Sequence, residues 1–408
     1  MGELFRCYWH PALLAEELPQ PDCPPVRVEL FSEKLIAFRD TQNRLGLIDG
    51  FCAHRCVSLW FGRNEHSGLR CPYHGWKYDV FGNCVEVPSE DPKFAEQIKL
   101  KAYPLVEKGG ILWTHMGDPG KRPPLPEYEF CNVSPEQRFI SKRLQACNWL
   151  QAMEGGSDSS HVCCLHSAAL NTDPLFKGSE GNKYNFGDLR PVFEVVDNPG
   201  GLLIGARRNA ENDHYYWRIT QWVMPAFTMI PPRADHPVHG HFWVPIDDEN
   251  CWTWSYDYKA SRELTIEERR AMQNGEGIHC EYVPGTFIPL ANKANDYLMD
   301  REAQKAGIAY SGVRGIAMQD ASLQESMGPI CDRTREKLAP TDRGIMLARR
   351  KLLQALKAHQ AQGRPPPGLD PETHKVRSAA LLLPRGASYS EAAREQLRAR
   401  PGTAHASV

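Results

Sequence analysis

The sequence predicts an α+β chain in two parts, an all-β N-terminal unit and a larger unit of helices around an antiparallel sheet. Three observations carry this. Short apolar–polar alternations separated by turn residues run through residues 26–114. A proline-rich connector, Gly120-Lys121-Arg122-Pro123-Pro124-Leu125-Pro126, then breaks the pattern. Beyond it, two long strand pairs are interleaved with helix signals.

In the first part, Val26-Arg27-Val28-Glu29-Leu30, Leu35-Ile36-Ala37-Phe38 and Leu45-Gly46-Leu47-Ile48 read as strands, and Asp49-Gly50 marks a turn. Ile111-Leu112-Trp113-Thr114, after Gly109-Gly110, reads as a later strand of the same unit. In the second part, residues 193–196 pair with 202–206 across a turn at 197–201, and residues 241–245 pair with 251–256 across 247–250. Thr265-Ile266-Glu267-Glu268 has the form of a capping box and opens a helix. Another helix starts at Thr341-Asp342, stops near Gly363, and puts Ile345, Leu352, Leu353 and Leu356 on one face. After Arg364-Pro365-Pro366-Pro367-Gly368 the tail is polar and is expected to wrap over the surface.

The 408 residues are 41% hydrophobic and 24% charged, ordinary for a globular chain, and are long enough for two packed domains. A net charge of −2 gives no reason to expect nucleic-acid or membrane-surface binding. No apolar run approaches the roughly 20 residues that cross a bilayer. The start, Met1-Gly2-Glu3-Leu4-Phe5-Arg6, lacks the basic and apolar stretches of a secretory signal, so the expected location is cytoplasmic. Thirteen cysteines in a reducing compartment do not form a disulfide framework. A few are expected to bind metal and the rest to act as small buried hydrophobes.

Two short motifs concentrate the metal-binding chemistry of the first part. Cys52-Ala53-His54 is followed, after sixteen intervening residues, by Cys71-Pro72-Tyr73-His74. Two loops that each offer one thiolate and one imidazole can clamp a [2Fe–2S] cluster, the thiolates on one iron and the imidazoles on the other. A structural zinc site would more usually place two cysteines on one loop and two histidines on the other. Residues 52–84, reading CAHRCVSLWFGRNEHSGLRCPYHGWKYDVFGNC, resemble the Rieske domain of aromatic-ring-hydroxylating oxygenases. Cys56 and Cys84 are not ligands in that pattern and are read as packing residues.

The second constellation lies between Asn148 and His166. On a helix, Gln151, Glu154, Asp158 and His161 would form one polar stripe. Gly155-Gly156-Ser157-Asp158-Ser159-Ser160 is a poor helix former, and such a sequence beside two histidines points to chemistry. His161 and His166 are about 140° apart on an ideal helix, so both reach one metal only if the helix bends or ends between them. Two histidines and a carboxylate make the facial triad of non-haem iron oxygenases. Composition cannot pick the carboxylate among 50 acidic residues. Glu154 is open to a supporting or a structural role, and Cys163 and Cys164 are read as core or pocket wall.

The resemblance extends from Arg6-Cys7-Tyr8-Trp9-His10-Pro11 to about Leu356, and within the superfamily the chain looks like phthalate dioxygenase and its relatives acting on phthalate, chlorobenzoates and phenoxybenzoates. It implies Cys52, His54, Cys71 and His74 as cluster ligands, and a mononuclear iron(II) held by His161, His166 and Asp320. The match runs through Gln319-Asp320-Ala321-Ser322-Leu323-Gln324-Glu325, with Glu325 as the competing third ligand. It implies that Asp158 bridges the first iron histidine to a cluster histidine of a neighbouring subunit in a homotrimer or stacked trimers. The implied domains are a Rieske domain at 1–125, a helix-grip-like catalytic domain at 126–360, and a tail at 361–408 packed on the catalytic domain.

The implied activity is dioxygenation of an aromatic carboxylate. Electrons would come from NAD(P)H through a separate reductase with flavin and iron–sulfur centres, since the chain shows no nucleotide-binding glycine fingerprint. A monooxygenase or O-demethylase with the same metals is the first alternative, and a Rieske electron carrier without catalytic iron the second. For substrate contacts, Arg207-Arg208 are candidates of which alternation turns only one inward, against the reading of a solvated strand end. Trp222, Phe227 and Met229 fit either an aromatic pocket or the core.

Overall fold

The computed structural model describes residues 1–408 and divides them into two compact units, Met1–Pro123 and Pro124–Val408. The division falls inside the proline-rich connector, after Pro123, where two successive residues without a backbone N–H stop any ladder.

The N-terminal unit is built from short antiparallel strands in three sheets. Val26–Leu30, Glu33–Arg39, Leu45–Asp49 and Ala102–Tyr103 form one, and Arg63–Glu65, Gly68–Arg70, Lys77–Tyr78 and Cys84–Glu86 form another. Ile36, Phe38, Ile48, Leu69, Trp76 and Tyr78 share one core with Cys52 and Cys71, so both loop cysteines are anchored by hydrophobic packing. Gly68–Arg70 and Lys77–Tyr78 bracket the second cysteine loop as a hairpin.

In the second unit an antiparallel sheet runs in the order Arg138–Gln145, Cys251–Tyr258, Val238–Pro245, Phe227–Met229, His214–Val223, Gly201–Asn209, Val192–Asp197. Phe227–Met229 pairs only with the end of His214–Val223, at Gln221 to Val223. Ala379–Pro384 pairs with the other end, so the tail is an integral strand rather than a polar wrap. It also carries Arg377, which meets buried Glu129 at 2.5 Å and 2.8 Å.

Helix Trp149–Ser157 lies on this sheet, and its glycines explain how closely. A Cβ on Gly156 would sit 2.4 Å from Trp243 Cη2 and 2.9 Å from Thr228 Oγ1, and one on Gly155 would sit 2.3 Å from Gln324 Nε2. The poor helix formers remain helical as far as Ser157, and at Gly156 only hydrogen fits against the Trp243 ring. Ile266–Gln273 opens on a capping box in which Glu268 N–H donates to Thr265 Oγ1 at 3.1 Å. Helix Arg343–Gln362 ends at left-handed Gly363, but its inward face is Gly344, Ala348, Leu352 and Ala355. Leu353, expected on that face, is exposed, because the helix approaches the sheet on small residues. No helix is long and apolar enough to cross a membrane.

Candidate metal centres

The two cysteine loops repeat one backbone device. Cys56 N–H donates to Cys52 O, and Gly75 N–H donates to Cys71 O. Each loop closes by a second bond, Cys52 N–H to Val57 O and Cys71 N–H to Trp76 O. The turn needs a positive φ at its fifth residue, supplied by Gly75 at 79° and by Cys56 at 56°. Cys56, read from the sequence as a packing residue, is in fact exposed and serves this turn, whereas Cys84 is buried in the core.

Cys52 and Cys71 are buried, His74 is half-buried and His54 is exposed. The imidazole rings of His54 and His74 meet edge to face at 4.4 Å, and His54 stacks on Trp76 at 4.6 Å. The Tyr78 hydroxyl accepts the Ala53 N–H at 3.1 Å and lies 3.2 Å from Cys52 Sγ, so its own hydrogen is available to that sulfur. Two thiols inside and two imidazoles toward the surface match the donor set of a Rieske cluster, with the histidine side open to electron exchange.

In the second unit His161, His166 and Asp320 converge, each offering one ligand atom within 4.8 Å of the others. The helix ends at Ser157, and His161–Cys163 is a separate 3-10 turn, which removes the angular conflict between the histidines. Asp158 is extended rather than helical, so the expected polar stripe breaks there. Its carboxylate accepts the Ser160 N–H at 2.6 Å and faces His161 Nδ1 at 3.0 Å. Asp320 comes from helix Ile316–Ser326 and lies 3.6 Å from His161 Nε2 and 3.3 Å from His166 Nε2. Burial alone would raise the Asp320 carboxyl, but His166 and His161 hold it well below the usual carboxylate range. Glu325 points elsewhere, accepting from Tyr297 Oη at 2.7 Å and Ala146 N–H at 3.1 Å.

Two family models match the chain: the Rieske [2Fe-2S] domain over residues 8–104 and the LigXa C-terminal domain like family over residues 114–391. The chain is 35% identical to a 3-chlorobenzoate-3,4-dioxygenase oxygenase subunit of Comamonas testosteroni, over 97% of this chain and 95% of that one. It is 37% identical to a phthalate 4,5-dioxygenase oxygenase subunit of Pseudomonas putida, over 88% and 83% of the two chains. The chain belongs to the Rieske oxygenase family. The same fold appears in the crystal structure of dicamba monooxygenase bound to dicamba, with TM-score 0.61, 18% identity, and coverage of 88% of this chain and 99% of that one.

This oxygenase uses a Rieske [2Fe–2S] cluster and a mononuclear non-haem iron, and the donor sets above fit both. Beside the triad lies a cavity of about 690 Å³ including its open mouth, lined by Val162, Leu170, Phe176, Trp243 and Ile316 among others. Three buried arginines, Arg143, Arg218 and Arg233, also line it. None of the three forms an ion pair. Arg218 Nε donates to Ser159 Oγ at 3.1 Å, Arg233 Nη1 to Asn182 Oδ1 at 2.8 Å, and Arg143 Nη1 to Ser255 Oγ at 3.3 Å. Arg143 Nε and Arg218 Nη1 are buried without a partner. Burial holds His241, on the same wall, down to about 3, so it stays neutral.

These arginines were missed from the sequence, although Arg218 inside the apolar strand Tyr215-Tyr216-Trp217-Arg218-Ile219 was a usable signal. Arg207, the weak candidate, faces away: it pairs with Glu194 at 3.0 Å and lies over the Tyr215 ring at 4.2 Å. Alternation turns Arg208 inward instead, where it donates to Ser159 O at 2.9 Å. Trp222, Phe227 and Met229 belong to the core and not to the cavity wall. Glu154 is structural, bound by Arg349 at 2.6 Å and Arg333 at 3.1 Å. Cys163 is buried, Cys164 is exposed, and neither lines the cavity.

Proposed function

We propose that this oxygenase is the terminal component of a multicomponent dioxygenase that inserts both atoms of dioxygen into an aromatic carboxylate of the phthalate, chlorobenzoate or phenoxybenzoate type. The observation that carries the reading is the charge of the cavity. Arg143, Arg218 and Arg233 bring three guanidinium groups to the wall of one chamber, whose carboxylates, Asp158 and Asp320, belong to the iron site and pair with none of them. A buried charge without a counter-charge costs several kcal/mol, so an anionic guest is favoured over a neutral one of the same shape. Val162, Leu170, Phe176, Trp243 and Ile316 supply an apolar part of the wall that suits an aromatic ring.

In this reading His161, His166 and Asp320 hold the iron, and Cys52, His54, Cys71 and His74 hold the cluster. When bound, the cluster supplies electrons singly and the iron supplies dioxygen activation. The chain's own residues orient and exclude. The arginines take the carboxylate and thereby aim the ring at the triad, while Phe176, Trp243 and Ile316 keep water out. Asp158 fixes the His161 ring through Nδ1. The Asp158 side chain is 20% exposed, which leaves it open to a cluster histidine of a neighbouring subunit in a homotrimer or stacked trimers. Electrons come from NAD(P)H through a separate reductase with flavin and iron–sulfur centres, and the oxygenase works in the cytoplasm.

The test is turnover of phthalates, chlorobenzoates and phenoxybenzoates under labelled dioxygen, with a compatible reductase and NADH, read by mass spectrometry. Two labelled oxygens in one product are the expected result. One labelled oxygen, or loss of a methyl group, would assign monooxygenation instead. Arg218→Met is expected to raise KM for the carboxylate about 30-fold, the equivalent of about 2 kcal/mol for a truncated charge pair. Unchanged KM would remove Arg218 from the carboxylate site.

A further inference from the structure

The two iron-site histidines are backed differently. His161 Nδ1 faces the Asp158 carboxylate, whereas His166 Nδ1 faces the side-chain amide of Gln319, with Oε1 at 2.8 Å. Gln319 is 2% exposed and immediately precedes Asp320 on helix Ile316–Ser326. Its other amide atom, Nε2, donates to Val313 O at 3.1 Å.

These contacts determine every hydrogen in the chain. A backbone carbonyl can only accept, so the Gln319 NH₂ must face Val313. The amide oxygen is then the atom that faces His166, and an oxygen there requires a hydrogen on His166 Nδ1. The Nε2 lone pair is consequently the one directed at Asp320 and the centre of the triad. The Val313 carbonyl lies in the turn before left-handed Gly315, at the start of the helix that carries both Gln319 and Asp320.

We infer that Gln319 is a positioning residue for the iron, setting the tautomer and ring orientation of His166 through the Val313–Gln319–His166 relay. This rests on the reading of His161, His166 and Asp320 as the iron ligands. A neutral amide in this place adds no third negative charge beside Asp158 and Asp320.

The experiment is competition for ferrous iron between the purified oxygenase and a chelator, with cluster content followed by visible absorption and electron paramagnetic resonance. Gln319→Met preserves length and removes the acceptor, and is expected to weaken iron binding roughly 10- to 100-fold with the cluster intact. Gln319→Glu keeps an acceptor toward Nδ1 but gives up the donor to Val313 O, and is expected to lose less iron affinity than Gln319→Met. Wild-type affinity in Gln319→Met overturns the proposal. An equal loss in both variants, or a loss accompanied by loss of cluster, assigns Gln319 to packing and also overturns it. His166→Ala is the separate control: if it leaves iron affinity unchanged, the ligand reading itself fails.

Discussion

At the scale of single residues, the site depends on atoms that are absent as much as on ligands. Gly156 has Trp243 and Thr228 against it, and the indole there is a rigid neighbour. Gly156→Ala is expected to destabilise the catalytic unit by about 1–3 kcal/mol, as overpacking does, and to lower the midpoint of its thermal unfolding. An unchanged midpoint would mean that the Trp243 ring moves aside at no cost. The sequence already marked this glycine pair as costly for a helix and attributed the cost to chemistry. The structure moves the reason one step outward, to the close approach that holds the following loop, with Asp158 and His161, over the sheet. His161 and His166 were legible because their spacing and their neighbours are local. Gln319 was not, because its role depends on meeting a residue 153 positions away in the chain.

Among elements, strands marked by alternation and turns were the easiest to read. Val26–Leu30 and the capping box before Ile266–Gln273 stand where the residues point. Helix Arg343–Gln362 was found, but its buried face was misassigned, since leucines signal burial only where the helix axis is not drawn in close by glycine and alanine. The tail was read as a polar wrap, and the strand inside it was missed. The polar residues around it drew attention away from Ala379–Pro384, a short apolar run that pairs with His214–Val223 and buries Ala379 and Ala380. The strand is tied down by Arg377, whose partner Glu129 also accepts from Tyr258 Oη at 2.9 Å. Arg377→Met should cost about 3–5 kcal/mol, because it leaves the Glu129 charge buried without its cation. Adding Glu129→Gln should recover part of that loss in denaturant unfolding. A double variant no more stable than the single one would show that the pair matters for packing and not for charge.

For the whole molecule, the division into two compact units means that each candidate metal centre is assembled from residues of one unit only. The proposed link between the centres is Asp158. Asp158→Asn is expected to leave iron content and the cluster signal at wild-type levels while turnover falls roughly 10- to 100-fold. Normal turnover with both metals loaded would remove Asp158 from that role.

The late position of Ala379–Pro384 in the chain also orders the birth of the enzyme. Arg218 stands opposite Ala380 in the ladder, so the strand that carries a cavity arginine is completed by a segment the ribosome delivers much later. Residues 1–123 have no such debt to later sequence within their sheets. Domains fold as units while synthesis proceeds from the N-terminus. The cluster-binding unit is therefore ready to mature while the oxygen-activating unit is still waiting for its closing strand.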